Sequence, residues 1–296
     1  MSLTSMPPEM AIEQPARAGL PFRRIGTAVG RLTRRSPGFL VGLVLILCIV
    51  FLALFGRFFT GDPLLLNPDV ILQAPSLGHP MGTDAFGRDV FARVVAASQL
   101  DLMIAFFAAS IAFAGGAIVG AVTGFSRGWV DDLVMRLVDI LQAFPAFILA
   151  VGLTAMLGNT VRNVVIAVAV AYSPYFIRLV RSQMITAREA EYARAARCIG
   201  NRPWRIMTHH LLPNCLGPAV VQGTLCLGWA ILDAAGLSFL GLGIRPPTAE
   251  WGVQVAEGTQ YINSGQWWIS VFPGLMIVIA VFGFNLIGDR LRRAVE

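Results

Sequence analysis

Lysine is absent. All 23 basic side chains of this 296-residue chain are arginines. A P-loop needs a lysine after its glycines to reach the phosphates, and Schiff-base chemistry needs a lysine amine. Any nucleotide hydrolysis that serves this chain therefore belongs to another polypeptide. Charge is scarce in general: 14% of residues are charged, against about 25% in an ordinary soluble domain. Core burial alone does not explain that deficit when 56% of residues are hydrophobic and the mean hydropathy is +0.68. Much of the surface must face lipid. Cysteine is sparse too. Cys48, Cys198, Cys215 and Cys226 form no CxxC pair, which argues against a disulfide framework or zinc site and leaves buried or inert thiols as the expectation. His79, His209 and His210 have no acid or thiol placed with them in sequence, so no metal set is expected. Ser36, Ser98, Ser110 and Ser238 lack histidine and acid partners at a recognisable spacing, which disfavours an intramembrane hydrolase.

What is present is a set of long apolar runs. A helix crossing a hydrocarbon core of about 30 Å needs about 20 mostly apolar residues. Six stretches meet that need: 38–59, 102–125, 133–157, 161–180, 216–240 and 268–287. The first is long for a signal-peptide core and is followed by Arg57, Phe58 and Phe59 instead of a small-residue cleavage site, so it reads as a membrane helix. The expected fold is all-α, a polytopic membrane protein with six transmembrane helices. With the N-terminus inside, inner segments hold eighteen arginines and outer segments five. The positive-inside rule then places both termini in the cytoplasm. The net charge of +6 does not indicate nucleic acid, because the arginines lie between apolar runs and not along one face.

Residues 1–36 read as a cytoplasmic tail, since Pro7, Pro8, Pro15 and Pro21 discourage a regular helix. Residues 37–100 read as the first transmembrane helix and an external segment, and 101–293 as the main transmembrane domain. Three features interrupt the spans. Asp233 sits in the fifth, where an ionisable group is costly; it either lines a pathway or gate, or caps and kinks the helix near Gly236. Asp139 stands three residues after Arg136, which suggests an ion pair within one helix. Pro145 and Pro174 should bend the third and fourth spans, their freed carbonyls being satisfied by neighbours.

The longest polar connection runs over residues 181–214. Tyr192, Ala195, Ala196 and Ile199 recur at i, i+3, i+4 and i+7, which is one face of a helix. Gly200 supplies a stop with φ > 0. Pro203 suits the first turn of a second helix, with Trp204, Met207 and Leu211 on one face and Pro213 ahead of the fifth span. Periodicity leaves two readings open: a surface hairpin that only connects spans, or a stiff element built for a partner.

Residues 184–213 resemble the cytoplasmic loop of binding-protein-dependent ABC importer permeases, whose pattern is EAA, three residues, Gly, nine residues, then I-x-L-P. Here stand Arg194-Ala195-Ala196, Gly200 and His210-Leu211-Leu212-Pro213. Arg194 replaces the glutamate and His210 the isoleucine. GTDAFGRDVFAR at 82–93 is similar to a segment of the dipeptide/oligopeptide/nickel permeases. LSFLGLGIRPPTAEWG at 237–252 and FPGLMIVIAVFGFNLIGDRLRRAV at 272–295 resemble their later segments. The likeness runs in order from about residue 37 and is nearest to the second, dipeptide-type permease.

That resemblance implies the type I ABC importer permease fold in a bacterial inner membrane, with no enzymatic activity and no cofactor of its own. It implies a second homologous permease, two ABC ATPase subunits that hold ATP and Mg, and a periplasmic substrate-binding protein. The coupling loop would use Tyr192, Arg194, Ala195, Ala196, Gly200, Trp204, Leu212 and Pro213. The implied cargo is a di- or oligopeptide; nickel chelates, glutathione and opines are carried by relatives with the same motifs. A hydrolase or passive channel, the competing classes, would work without an ATPase, which a co-purification experiment distinguishes.

Overall fold

The structure is a computed structural model that describes residues 36–126 and 128–295. The expected tail thus lies outside the described residues except for Ser36. Among those described the chain is helical, with an isolated bridge between Thr83 and Asp89. Helix α1 (Pro37–Phe55) is followed by a connecting segment and α2 (Val90–Ser126). Then come α3 (Trp129–Gln142), α4 (Ala146–Leu157), α5 (Val161–Glu189) and the short α6 (Glu191–Cys198). Helix α7 (Pro203–Phe239) contains a π-helical turn at Ile206–Leu211. Helices α8 (Trp251–Thr259) and α9 (Trp268–Val295) complete the chain.

Five helices, α1, α2, α5, α7 and α9, are long and apolar enough to cross a bilayer. The third expected span is not one rod. Helices α3 and α4 meet at a 90° bend, and they make a sixth crossing if the pair counts as one. The cause is local. Pro145 offers no N–H to the helix ladder and takes an extended backbone, φ −53 and ψ 135, while its ring disfavours helical geometry at Phe144. Pro174, Pro218 and Pro273 sit inside helices that continue, so the context around each proline decides the outcome.

Several helices overrun the apolar stretches. The 37 residues of α2 span roughly 55 Å at about 1.5 Å per residue, well beyond a core of about 30 Å. Its first turns therefore stand clear of the hydrocarbon. Helices α2 and α5 share the most extensive interface in the molecule. Gly116, Gly120 and Gly124 line one edge of it at four-residue spacing. A Cβ at Gly116 would lie 2.3 Å from Phe176 Cβ, and one at Gly120 would lie 2.5 Å from the Ile177 carbonyl oxygen. Small residues let two backbones approach closely where lipid provides no hydrophobic drive. By contrast, Leu40, Val44, Leu47, Phe51 and Leu54 of α1 are exposed, as expected of a helix with one face on α9 and the rest against acyl chains.

Candidate functional site

Two motifs that are far apart in sequence meet in a largely buried charge network. Asp84 Oδ1 accepts the N–H groups of Phe86 at 2.9 Å and Arg88 at 3.0 Å. Its Oδ2 accepts Arg88 Nε at 2.6 Å. Arg93, only 1% exposed, donates Nη2 to Glu257 at 2.9 Å, and Arg88 reaches the same carboxylate at 3.3 Å. Two acids face two guanidiniums, so the charges cancel. Around them, Gln254 Nε2 donates to the Arg93 carbonyl, Trp251 Nε1 to Val94 and Trp268 Nε1 to Thr83. The Trp251 N–H reaches Asp101 at 3.1 Å. Buried Glu250 accepts the Val253 N–H at 2.7 Å, and burial raises its carboxyl above the ordinary value. The start of α2 is thereby tied to α8 and α9. A cavity of about 550 Å³ opens beside the network between Phe86, Pro246 and Tyr261. His79 does have an acid beside it, Asp89 at 2.8 Å, but no metal-binding group forms among the described residues.

In the membrane part, Asp233 is buried in α7 and does not act as a helix cap. The Tyr172 hydroxyl of α5 donates to its Oδ2 at 2.7 Å. The Tyr172 ring stacks on Trp229, centroids 5.8 Å apart and 22° between planes. Lower down, Asp139 does not pair with Arg136 of its own helix. It pairs with Arg178 of α5, and Asp131 takes Arg181 Nε and Nη2, both at 2.6 Å. An arginine preceding its acid is the weaker order on a helix, and an arginine arriving from a neighbouring helix wins.

The loop after α5 is built as a stiff corner. Ala190 is extended and separates α5 from α6. Gly200 has φ +80. Its N–H bonds the Arg197 carbonyl at 3.0 Å, and the Asn201 N–H bonds the Ala196 carbonyl at 3.2 Å. These two bonds form a Schellman motif, which closes the helix at a residue that favours glycine. Pro203 opens α7 as expected. Pro213 is not a break, however. The helix passes through it, and the wide turn just upstream absorbs the missing N–H.

The structure shows which side of α6 meets the bundle. Ala193 and Ala196 are buried, whereas Tyr192, Arg194, Ala195 and Ile199 are exposed. Ile199 is 79% exposed and Trp204 is 68% exposed. Leu212 and Pro213 are half-buried in α7. Two small alanines let α6 lie flat on the bundle, and the large apolar side chains project away from it. Cys198 on this helix is exposed, as is Cys48 on α1, while Cys215 and Cys226 are buried, and all four are free.

The molecule is a bundle of bent and broken helices with a stiff, exposed corner. Its fold is that of ABC importer permeases. A chain of the methionine ABC transporter MetNI in an inward-facing form matches with a TM-score of 0.54, covering 69% of this chain and 96% of that one at 22% identity. The family is set by sequence. Residues 116–296 match the binding-protein-dependent transport system inner membrane component, and the chain belongs to that family. The dipeptide transport system permease protein DppC of Alkalihalophilus pseudofirmus is 43% identical, over 87% of this chain and 84% of that protein. The glutathione transport system permease protein GsiD of Escherichia coli is 38% identical, over 90% and 88%. The chain is thus an inner-membrane permease subunit of an ABC importer, a transport component and not an enzyme.

Proposed function

We propose that this permease imports di- or oligopeptides and is driven by separate ATPase subunits docked at the corner formed by α6, Gly200 and the start of α7. One observation carries the coupling part: Tyr192, Ile199 and Trp204 form an uncovered apolar rim on a corner that backbone hydrogen bonds hold rigid. Arg194, Ala195 and Ala196 complete its first helix, with Leu212 and Pro213 where the second joins the bundle. Such a corner transmits a rigid-body shift that a floppy loop would absorb. ATP and Mg sit on the ATPases. A second, homologous permease completes the pathway, two ATPases bind below, and a periplasmic binding protein delivers cargo. Residues 37–100 supply the first span and an external segment, and 101–293 the transport domain. Asp233 belongs to the pathway.

The peptide cargo rests on the names of relatives, and the GsiD likeness makes glutathione, itself a peptide, the second reading. Gly200→Val tests coupling. Valine is strongly disfavoured at φ +80, so transport and ATPase co-purification are both expected to fall while the subunit still inserts. Wild-type values for both would refute the corner as the coupling element. For orientation, Ser264→Cys, an exposed site between α8 and α9, should react with an impermeant reagent from outside, and tags at both termini should be cytoplasmic.

A further inference from the structure

Among the described residues, Asp84, Glu257, Asp131 and Asp139 face arginines. Asp101 and Glu250 accept backbone N–H groups, and the second Glu250 oxygen is sealed without a partner. Asp233 has neither an arginine nor an N–H donor among the described residues. It is 8% exposed, and its hydrogen-bond partner there is the Tyr172 hydroxyl, on Oδ2 alone. Unlike the sealed oxygen of Glu250, its other oxygen keeps an opening.

The surroundings are aromatic. Tyr172 stacks on Trp229 and lies 6.0 Å from Tyr175, centroid to centroid. Tyr175 is 42% exposed and so reaches the outer face of α5. One turn above Asp233, Gly236 leaves room against Phe147 of α4. A half-used carboxylate among ring faces, in a setting poor in water, is the chemistry that holds an ammonium ion.

We infer that Asp233, walled by Tyr172, Tyr175 and Trp229, is a transient binding site for the α-ammonium group of a peptide in transit. The tyrosine hydroxyl orients the carboxylate and leaves one oxygen for the cargo. This inference rests on the peptide reading above and adds the moiety that the permease itself recognises.

The test uses the purified complex of both permeases and the ATPases, without the binding protein, titrated with radiolabelled alanylalanine and with N-acetyl-alanylalanine. The wild type is expected to bind the free amine about ten-fold more tightly, the scale of one desolvated charge contact. Asp233→Asn should erase that preference, Asp233→Glu should restore most of it, and Trp229→Leu should reduce it. Equal binding of the two dipeptides by the wild type overturns the inference, as does a preference that survives Asp233→Asn. If D233N does not assemble, the wild-type comparison and Trp229→Leu still decide. Uptake into liposomes with the binding protein present separates the two readings. No peptide uptake by the wild type refutes the peptide reading, whereas peptide uptake with equal binding of both dipeptides refutes the ammonium site alone.

Discussion

The charge network around Arg93 and the corner at Gly200 treat their side chains in opposite ways. Asp84, Arg88, Arg93 and Glu257 are drawn inward and paired until charge cancels. Tyr192, Ile199 and Trp204 are exposed among the described residues. The first arrangement is a lock within one chain, and the second is an apolar surface that the proposed ATPase contact would cover. The difference separates residues whose loss should unfold the subunit from residues whose loss should isolate it.

The largest effect should come from the lock. Arg93→Ala empties a fully buried site and leaves the half-buried Glu257 with Arg88 alone; breaking a buried pair costs up to about 3–5 kcal/mol. Thermal unfolding in detergent should report that loss. The double change Arg93→Met with Glu257→Leu should recover much of it, because replacing both charges leaves none stranded. A double variant no more stable than Arg93→Ala would show that the network does not act as a pair.

Next in size is the helix contact. Gly120→Val forces Cβ into the Ile177 carbonyl, where 2.5 Å is available. Overpacking of this kind costs about 1–3 kcal/mol, measurable by the same melt. Unchanged melting would mean that α2 and α5 separate without penalty.

The corner should behave differently. Cys198 is exposed on α6, so a maleimide should label it readily in the isolated subunit and slowly in the complex with ATPases. Equal labelling in both states would show that α6 stays uncovered. The smallest effect is expected at Arg194. It is exposed and makes no packing contact inward, so Arg194→Glu should change stability by no more than about 0.5 kcal/mol. Any large consequence should then appear in ATPase recovery, which would place Arg194 in the interface.

Much of this was legible in the sequence because it depends on local rules. Gly200 and Pro203 announced a stop and a start, and the backbone obeys both. Other features were misread where a neighbour outbids the local rule. Asp139 chooses Arg178 over Arg136, although Arg136 is closer in sequence. Pro145 breaks its span and Pro174 does not, since the fate of a proline depends on which groups around it meet the freed carbonyls. Which side of α6 meets the bundle was not legible, because large apolar residues usually point to the core, and here two alanines do.

The sequence by itself determined that the chain lives in a bilayer, how many apolar stretches it has, and where the corner at Gly200 turns. Hydropathy, helix period and the steric limits of glycine and proline act over a few residues, so one dimension is enough to read them. Only the tertiary structure decided that Arg93 meets Glu257 across 164 positions, that Asp233 keeps one oxygen free, and that Trp204 faces outward. Those outcomes depend on which helices lie side by side, and charge and shape choose among neighbours that the chain order does not specify.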